Sequence, residues 1–261
     1  MAERLSNELF PVFGWKGVGP TNQNWKCDDA THHLSTHPSD VVFYYDEPYE
    51  DIRTYLNCDV KSYKKGSITV ASVRTAIESL AKAVACAEKS PAWQNMYSHN
   101  NVTPAICGLL FIYNHDGEYD KDFQTILNQI SPSQLALPKG AKLIVLGPQE
   151  VSWLNNVRYD IENSRGKGKL PPATRCQFLY PDLVRRKLIH SKTHAAATVE
   201  ALSSPWIMLE SQNADGNRSG VDIYYRDLGD TQDEFMYLID WLLHYNIVHN
   251  GISIRIQDSE C

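Results

Sequence analysis

The sequence predicts an α/β fold: a mixed β-sheet core flanked by helices, with a C-terminal α+β extension. Three observations carry that expectation. Two β-rich runs flank a short turn between 41 and 63, and a helical apolar pattern follows over about 69–88. Two nearly continuous apolar runs, 105–114 and 141–146, have the composition of strands buried on both faces. A strand, a helix and then a buried strand make a right-handed crossover between parallel neighbours. With 261 residues and 43% apolar content the chain can bury a sizeable core. The expected division is a first domain over 1–194, its core in about 1–115, and an extension over 195–261 that either prolongs the same sheet or forms a small unit of its own.

Taken in order, residues 2–10 place Leu5 and Leu9 four apart and predict a short helix. Residues 11–39, rich in Gly, Asn, Thr, His and Trp, lack periodicity and read as loop with one short strand. Cys27, His32, His33 and His37 lie there; the spacing fits no standard zinc pattern, so a polar loop or cleft wall is the favoured reading. Residues 41–45 are β-branched and aromatic, Glu47 to Glu50 form a turn, and 52–63 supply the hairpin partner. Thr69 caps a helix whose Val70, Val73, Ile77, Leu80 and Val84 recur at three- and four-residue steps. Helices are also expected over 122–130 and 151–162. The Gly/Pro-rich stretch 164–175 reads as a surface loop whose Arg165, Lys167 and Lys169 are the alternative candidates for nucleic-acid backbone contact, with Lys64 and Lys65. Residues 177–197 mix strand and helix signals and carry the basic run Arg185, Arg186 and Lys187. Strands at 206–209 and 221–225, a helix from 233 to about 250 on Phe235, Leu238, Ile239, Leu242 and Leu243, and a strand at 252–256 complete the chain.

The balance of 25 basic and 31 acidic residues, a net of −6, argues against a binder held to nucleic acid by bulk charge. Six scattered cysteines without a C-x-x-C pair argue against a disulfide framework and suit a reducing compartment. No signal peptide is visible at the N-terminus and no run approaches the ~18 apolar residues of a membrane span, so a cytoplasmic protein is expected. Neither a P-loop nor a dinucleotide fingerprint is present. His190 and His194, at helical spacing without an intervening Glu, read as a surface pair, and the acidic residues around Asp233 favour a helix N-terminus.

The chemistry concentrates in the hairpin. On a strand alternate side chains share a face, so Asp59 and Lys61 point the same way, with Asn57 and Tyr63. A turn centred near Tyr49 opposes residues whose numbers sum to about 99, which sets Asp40 across from Asp59. A one-residue slip breaks that arithmetic. Two clustered carboxylates repel unless a cation neutralises them, and Mg²⁺ or Mn²⁺, hard and oxygen-seeking, suits that position, with the carbonyl of Val60 as a further ligand. Such an ion activates water on a phosphodiester, with Lys61 orienting or deprotonating that water and stabilising the charge that develops.

Asp40, an 18-residue gap and Asp59-Val60-Lys61 in a hairpin, followed by an amphipathic helix and a buried strand, resemble the core of the PD-(D/E)XK nuclease superfamily. The resemblance covers roughly residues 1–115, and Pro38-Ser39-Asp40 stands where the superfamily has an adjacent Pro-Asp. It implies a restriction-endonuclease-like core, Asp40 and Asp59 as metal ligands, Lys61 as the catalytic lysine, and an acidic residue from the first helix, Glu8 ahead of Glu3. It further implies a metal-dependent endonuclease acting on DNA, with RNA second, in restriction or anti-phage defence, targeted by homodimerisation or by a separate partner protein. Two readings stand beside it: a non-catalytic protein using the same fold to bind nucleic acid or a partner, and a metal-dependent hydrolase of another phosphate substrate.

Overall fold

A computed structural model describes residues 1–99, 102–135, 142–180, 195–227, 229–245, 247 and 253–257. They group into two compact units, one formed by 1–11, 15–45 and 52–152, the other by 12–14, 46–51 and 153–261. The boundary expected between 194 and 195 therefore falls inside the second unit.

In the first unit, helix α1 (Ala2–Leu9) precedes strands β1 (Lys16–Gly17), β2 (Gln23–Lys26), β3 (Thr36–Ser39), β4 (Val41–Asp46) and β5 (Ile52–Tyr63). Helices α2 (Val70–Ala87) and α3 (Pro91–Tyr97), strand β6 (Thr103–Asn114), the single turn α4 (Gln124–Leu127) and strand β7 (Lys142–Leu146) follow, and helix α5 (Pro148–Gly166) starts in this unit and continues into the second from Trp153. The main sheet has the order β1-β4-β5-β6-β7. β1 runs antiparallel to β4, while β5, β6 and β7 are parallel, as the crossover through α2 requires. Residues 11–39, expected to be mostly loop, instead contain β1 and the paired hairpin β2–β3. Its strands are only four residues long and polar, too short for a periodicity signal.

The sheet is covered on both faces, and the alternation along β6 shows which helix covers which. Leu110 and Ile112 pack in the cluster of Val73, Ile77, Leu80 and Val84 from α2. Phe111 points the other way and meets Phe10, at the end of α1, with ring centroids 5.8 Å apart. α2 begins with a reciprocal cap: Thr69 Oγ1 accepts from Ser72 N at 3.2 Å and Ser72 Oγ accepts from Thr69 N at 3.0 Å. α4 is shorter than the helix expected over 122–130, and α5 extends past 151–162 to take in Pro148 at its first position and Arg165 near its end.

The second unit has its own four-stranded sheet, order β11-β10-β9-β8, from β8 (Cys176–Phe178), β9 (Trp206–Gln212), β10 (Arg218–Tyr225) and β11 (Ser253–Gln257), with helices α6 (Val199–Ser203) and α7 (Gln232–His244). Of the two arrangements left open for the tail, the separate sheet is the one formed. Along α7 only Leu238 and Leu242 are buried, whereas Phe235 and Leu243 are 51% and 59% exposed. Asp233 and Glu234 lie in its first turn, and Glu234 closes a capping box with the N-cap Thr231. The run Arg185 to Lys187 and the pair His190 and His194 lie outside the described residues. Among those described, no helix is long and apolar enough to cross a membrane.

Candidate active site

β5 builds the site. In parallel register, Asp59 stands beside Leu110 and Lys61 beside Ile112, so both project toward the α2 face. Lys61 Nζ lies 2.6 Å from Asp59 Oδ1, with side chains 33% and 13% exposed. Asp40 occupies the break between β3 and β4. Its backbone N–H donates to the Cys58 carbonyl at 3.2 Å, one residue from the pairing that the hairpin arithmetic gives. The carboxylates nevertheless meet: Asp40 Oδ2 accepts from Val60 N–H at 2.7 Å, and the Asp40 carboxyl comes within hydrogen-bonding reach of Asp59. Because the N–H and C=O of one strand residue point to the same edge, the Val60 carbonyl faces the Asp40 side too.

Burial raises the Asp59 carboxyl above the usual carboxylate range; Asp40 pushes the same way, against the hydrogen bond and charge of Lys61. Lys61 is raised as well: burial opposes its charge, but the hydrogen bond it donates to Asp59 and the charges of Asp59 and Asp40 outweigh it. A like-charged pair that is partly dehydrated and held beside a single ammonium is an arrangement that a divalent cation relieves. The oxygen-only donor set, two carboxylates and a carbonyl, fits Mg²⁺ or Mn²⁺ rather than a softer ion.

Behind the site lies a buried polar chain. Trp25 Nε1 donates to Ser39 Oγ at 2.9 Å, Ser39 Oγ donates to Asn57 Oδ1, and Trp93 Nε1 donates to the same oxygen at 3.2 Å. Ser39 and Asn57 are 1% and 0% exposed, and they tie β3 to β5 immediately before Asp40. Asn57 shares the face of Asp59, as alternation predicts, but its role in a network emerges only when Trp25 and Trp93 are brought in from distant positions.

Glu8 pairs with Arg4 at 2.8 Å, on a helix whose end packs against the opposite face of the sheet. Glu3, also on α1, is tied to the Asp40 region. It accepts from Asn22 Nδ2 at 3.2 Å, and Asn22 N donates to the Asp40 carbonyl at 2.8 Å. Lys65 is engaged by Asp120, 2.8 Å away, while its backbone N–H binds Asp116. Lys64 lines a neighbouring cleft with Thr69, Asp116 and Tyr119. Arg165, Lys167 and Lys169 belong to the second unit, Arg165 in the last turn of α5.

Parallel strands linked through α2, an antiparallel edge, and two carboxylates beside a strand lysine define the PD-(D/E)XK nuclease class. Residues 1–150 match the family model described as the GAPS4 protein PD-(D/E)XK nuclease domain, and the chain belongs to that family. Neither a curated protein nor a solved structure matches it.

Proposed function

We propose that this protein is an endonuclease that cleaves DNA phosphodiester bonds with Mg²⁺ or Mn²⁺, with RNA as the less favoured substrate. The observation that carries the reading is the convergence of Asp40 and Asp59 beside Lys61 on β5. Asp40, Asp59 and the Val60 carbonyl would hold the ion, whose chemistry is to lower the pKa of bound water and neutralise charge on the scissile phosphate. The N–H of Val60 fixes the Asp40 carboxylate in place before any ion binds. Lys61, kept as an ammonium by its acidic neighbours, orients the attacking water and stabilises the developing negative charge rather than abstracting a proton. Glu8 remains the helix carboxylate that the superfamily likeness nominates, and Glu3 supports the Asp40 segment through Asn22.

The net charge of −6 fits an enzyme brought to nucleic acid by a second copy or a partner protein rather than by bulk attraction, with Lys64, Lys167 and Lys169 as candidate backbone contacts. By analogy with the superfamily, the setting is restriction or anti-phage defence in the cytoplasm. Supercoiled plasmid, single-stranded DNA and RNA incubated with purified protein and Mg²⁺ or Mn²⁺, beside Asp59→Asn and Lys61→Ala, test the proposal. Metal-dependent nicking by the wild type alone is expected. Equal nicking by both variants overturns the site assignment, and no cleavage of any substrate favours the binding-only reading.

A further inference from the structure

A second cluster of metal-ligating side chains lies in the first unit, away from the carboxylates. Cys27 follows β2, His32 ends a short 3-10 turn, His37 is on β3, and Cys86 is in the last turn of α2. One ligand atom from each lies within 4.8 Å of all the others. Cys27 Sγ is 3.6 Å from Cys86 Sγ and 3.7 Å from His32 Nδ1. Cys86 Sγ is 3.3 Å from His32 Nδ1, which is 3.4 Å from His37 Nε2. A tetrahedral ion bound ~2.3 Å from sulfur and ~2.0–2.1 Å from nitrogen holds its ligand atoms roughly 3.3–3.8 Å apart. These four separations fall in that range.

We propose that Cys27, His32, His37 and Cys86 form a structural zinc site that pins the β2–β3 hairpin to the end of α2. Two thiolates and two imidazoles select a soft or borderline ion such as Zn²⁺ and disfavour Mg²⁺, so the two metal sites do not compete. A Cys27–Cys86 disulfide explains the arrangement less well, because it leaves His32 Nδ1 aimed at both sulfurs, with His37 Nε2 behind it, without a reason. Local hydrogen bonds hold the segments that carry the ligands. Asp29 caps the turn through Thr31 N at 2.9 Å and Thr31 Oγ1 at 2.6 Å. Its other oxygen lies 3.8 Å from His32 Nε2, on the side where a carboxylate orients a ligating imidazole. His33, at φ 52°, turns the chain back into β3. Cys27 N–H bonds the Ser35 carbonyl at 3.0 Å and so continues the hairpin ladder to its tip. His37 is fully buried, three residues before Asp40, and Cys86 is 3% exposed. With Cys27 and His32 partly buried beside them, the four ligands leave no open position for catalysis, and the work of the zinc is to hold the segment that carries Asp40.

The test is metal analysis of protein purified under reducing conditions, followed by substitution with Co²⁺. One zinc per chain is expected, and the cobalt form should show the intense visible bands of tetrahedral coordination with thiolate charge transfer. Cys27→Ser and Cys86→Ser should each weaken the thiolate bands and lower zinc retention against a chelator at least tenfold. His33→Asn, which suits the left-handed backbone there, should bind as the wild type does. A protein that holds no zinc and takes up neither metal overturns the proposal. So does a native mass two hydrogens short with Cys27 joined to Cys86, or an octahedral cobalt spectrum unchanged by the cysteine variants. Because the readouts are stoichiometry and spectra, they stand whether or not the protein cleaves DNA.

Discussion

Replacing Asp59 with Asn separates metal binding from folding at the proposed nuclease centre. The Asn keeps the shape of the side chain but removes one of the two converging charges. In metal-free protein two effects oppose each other. The 2.6 Å pair with Lys61, a third of which is exposed, is lost at a cost of roughly 1 kcal/mol, and the burial of like charge against Asp40 is relieved by a similar amount. The variant should therefore fold within about 1 kcal/mol of the wild type. With Mg²⁺ at a hundredfold over its dissociation constant, the wild type gains about 2.7 kcal/mol. At ~2–4 °C per kcal/mol for a unit of this size, that raises Tm by roughly 5–11 °C. Asp59→Asn should show almost none of that rise, whereas Lys61→Met, which leaves both carboxylates in place, should keep it while losing cleavage. Differential scanning calorimetry with and without MgCl2 reads all three proteins. An Mg²⁺-induced shift in Asp59→Asn equal to that of the wild type refutes the assignment, as does its loss in Lys61→Met.

Other expectations follow from the same geometry. Asn57→Ala strands two buried donors, Ser39 Oγ and Trp93 Nε1, at roughly 1–3 kcal/mol each. Losing the unpartnered Nδ2 of Asn57 offsets part of this, so a net loss of about 2 kcal/mol is expected in urea unfolding. Gly108→Ala would place a Cβ 2.4 Å from Leu143 Cδ2 and 2.9 Å from both Leu80 and Val84, costing about 1–3 kcal/mol; wild-type stability would show that β6 and α2 are not packed this closely. In the second unit, burial raises the Asp222 carboxyl above its ordinary value despite its pairing with Arg255. A raised folded pKa means that the native state holds the proton longer, so this group's contribution is most favourable at low pH. It is lost as pH rises from the ordinary carboxylate range through the raised value. Unfolding free energy measured against pH should show that extra downward slope in the wild type and not in Asp222→Asn.

How much of this was legible beforehand depends on how local each signal is. The hairpin, the crossover helix with its Thr69 cap, and the buried strands β6 and β7 all follow from alternation, period and capping chemistry, which need only neighbouring residues. The face shared by Asp59 and Lys61 is equally local, since it depends on strand alternation alone. The approach of Asp40 was anticipated by counting across the turn, yet the backbone pairs Asp40 with Cys58. The contact survives because a carboxylate at a strand break can reach sideways to the Val60 N–H. The choice between Glu3 and Glu8 depends on which helix face meets which sheet face, and a helical pattern of eight residues does not settle that.

The second unit's separate sheet was beyond local reading for a similar reason: β8 joins it from a stretch of only three residues, and its partner β9 is nearly thirty residues on. The Cys/His cluster marks the limit most sharply. Cys27, His32 and His37 form no standard ligand pattern, and the fourth member, Cys86, looked like an ordinary apolar position on the buried side of α2. By itself the sequence determined the α/β class, the strand that carries Asp59 and Lys61, and the family, because short-range periodicity and spacing encode them. Tertiary structure alone decided which distant side chains share a point in space: Asn57 with Trp25 and Trp93, Glu3 with the Asp40 segment through Asn22, and Cys86 with a hairpin more than fifty residues away. Chain closure across such separations is governed by packing, which no window of sequence contains.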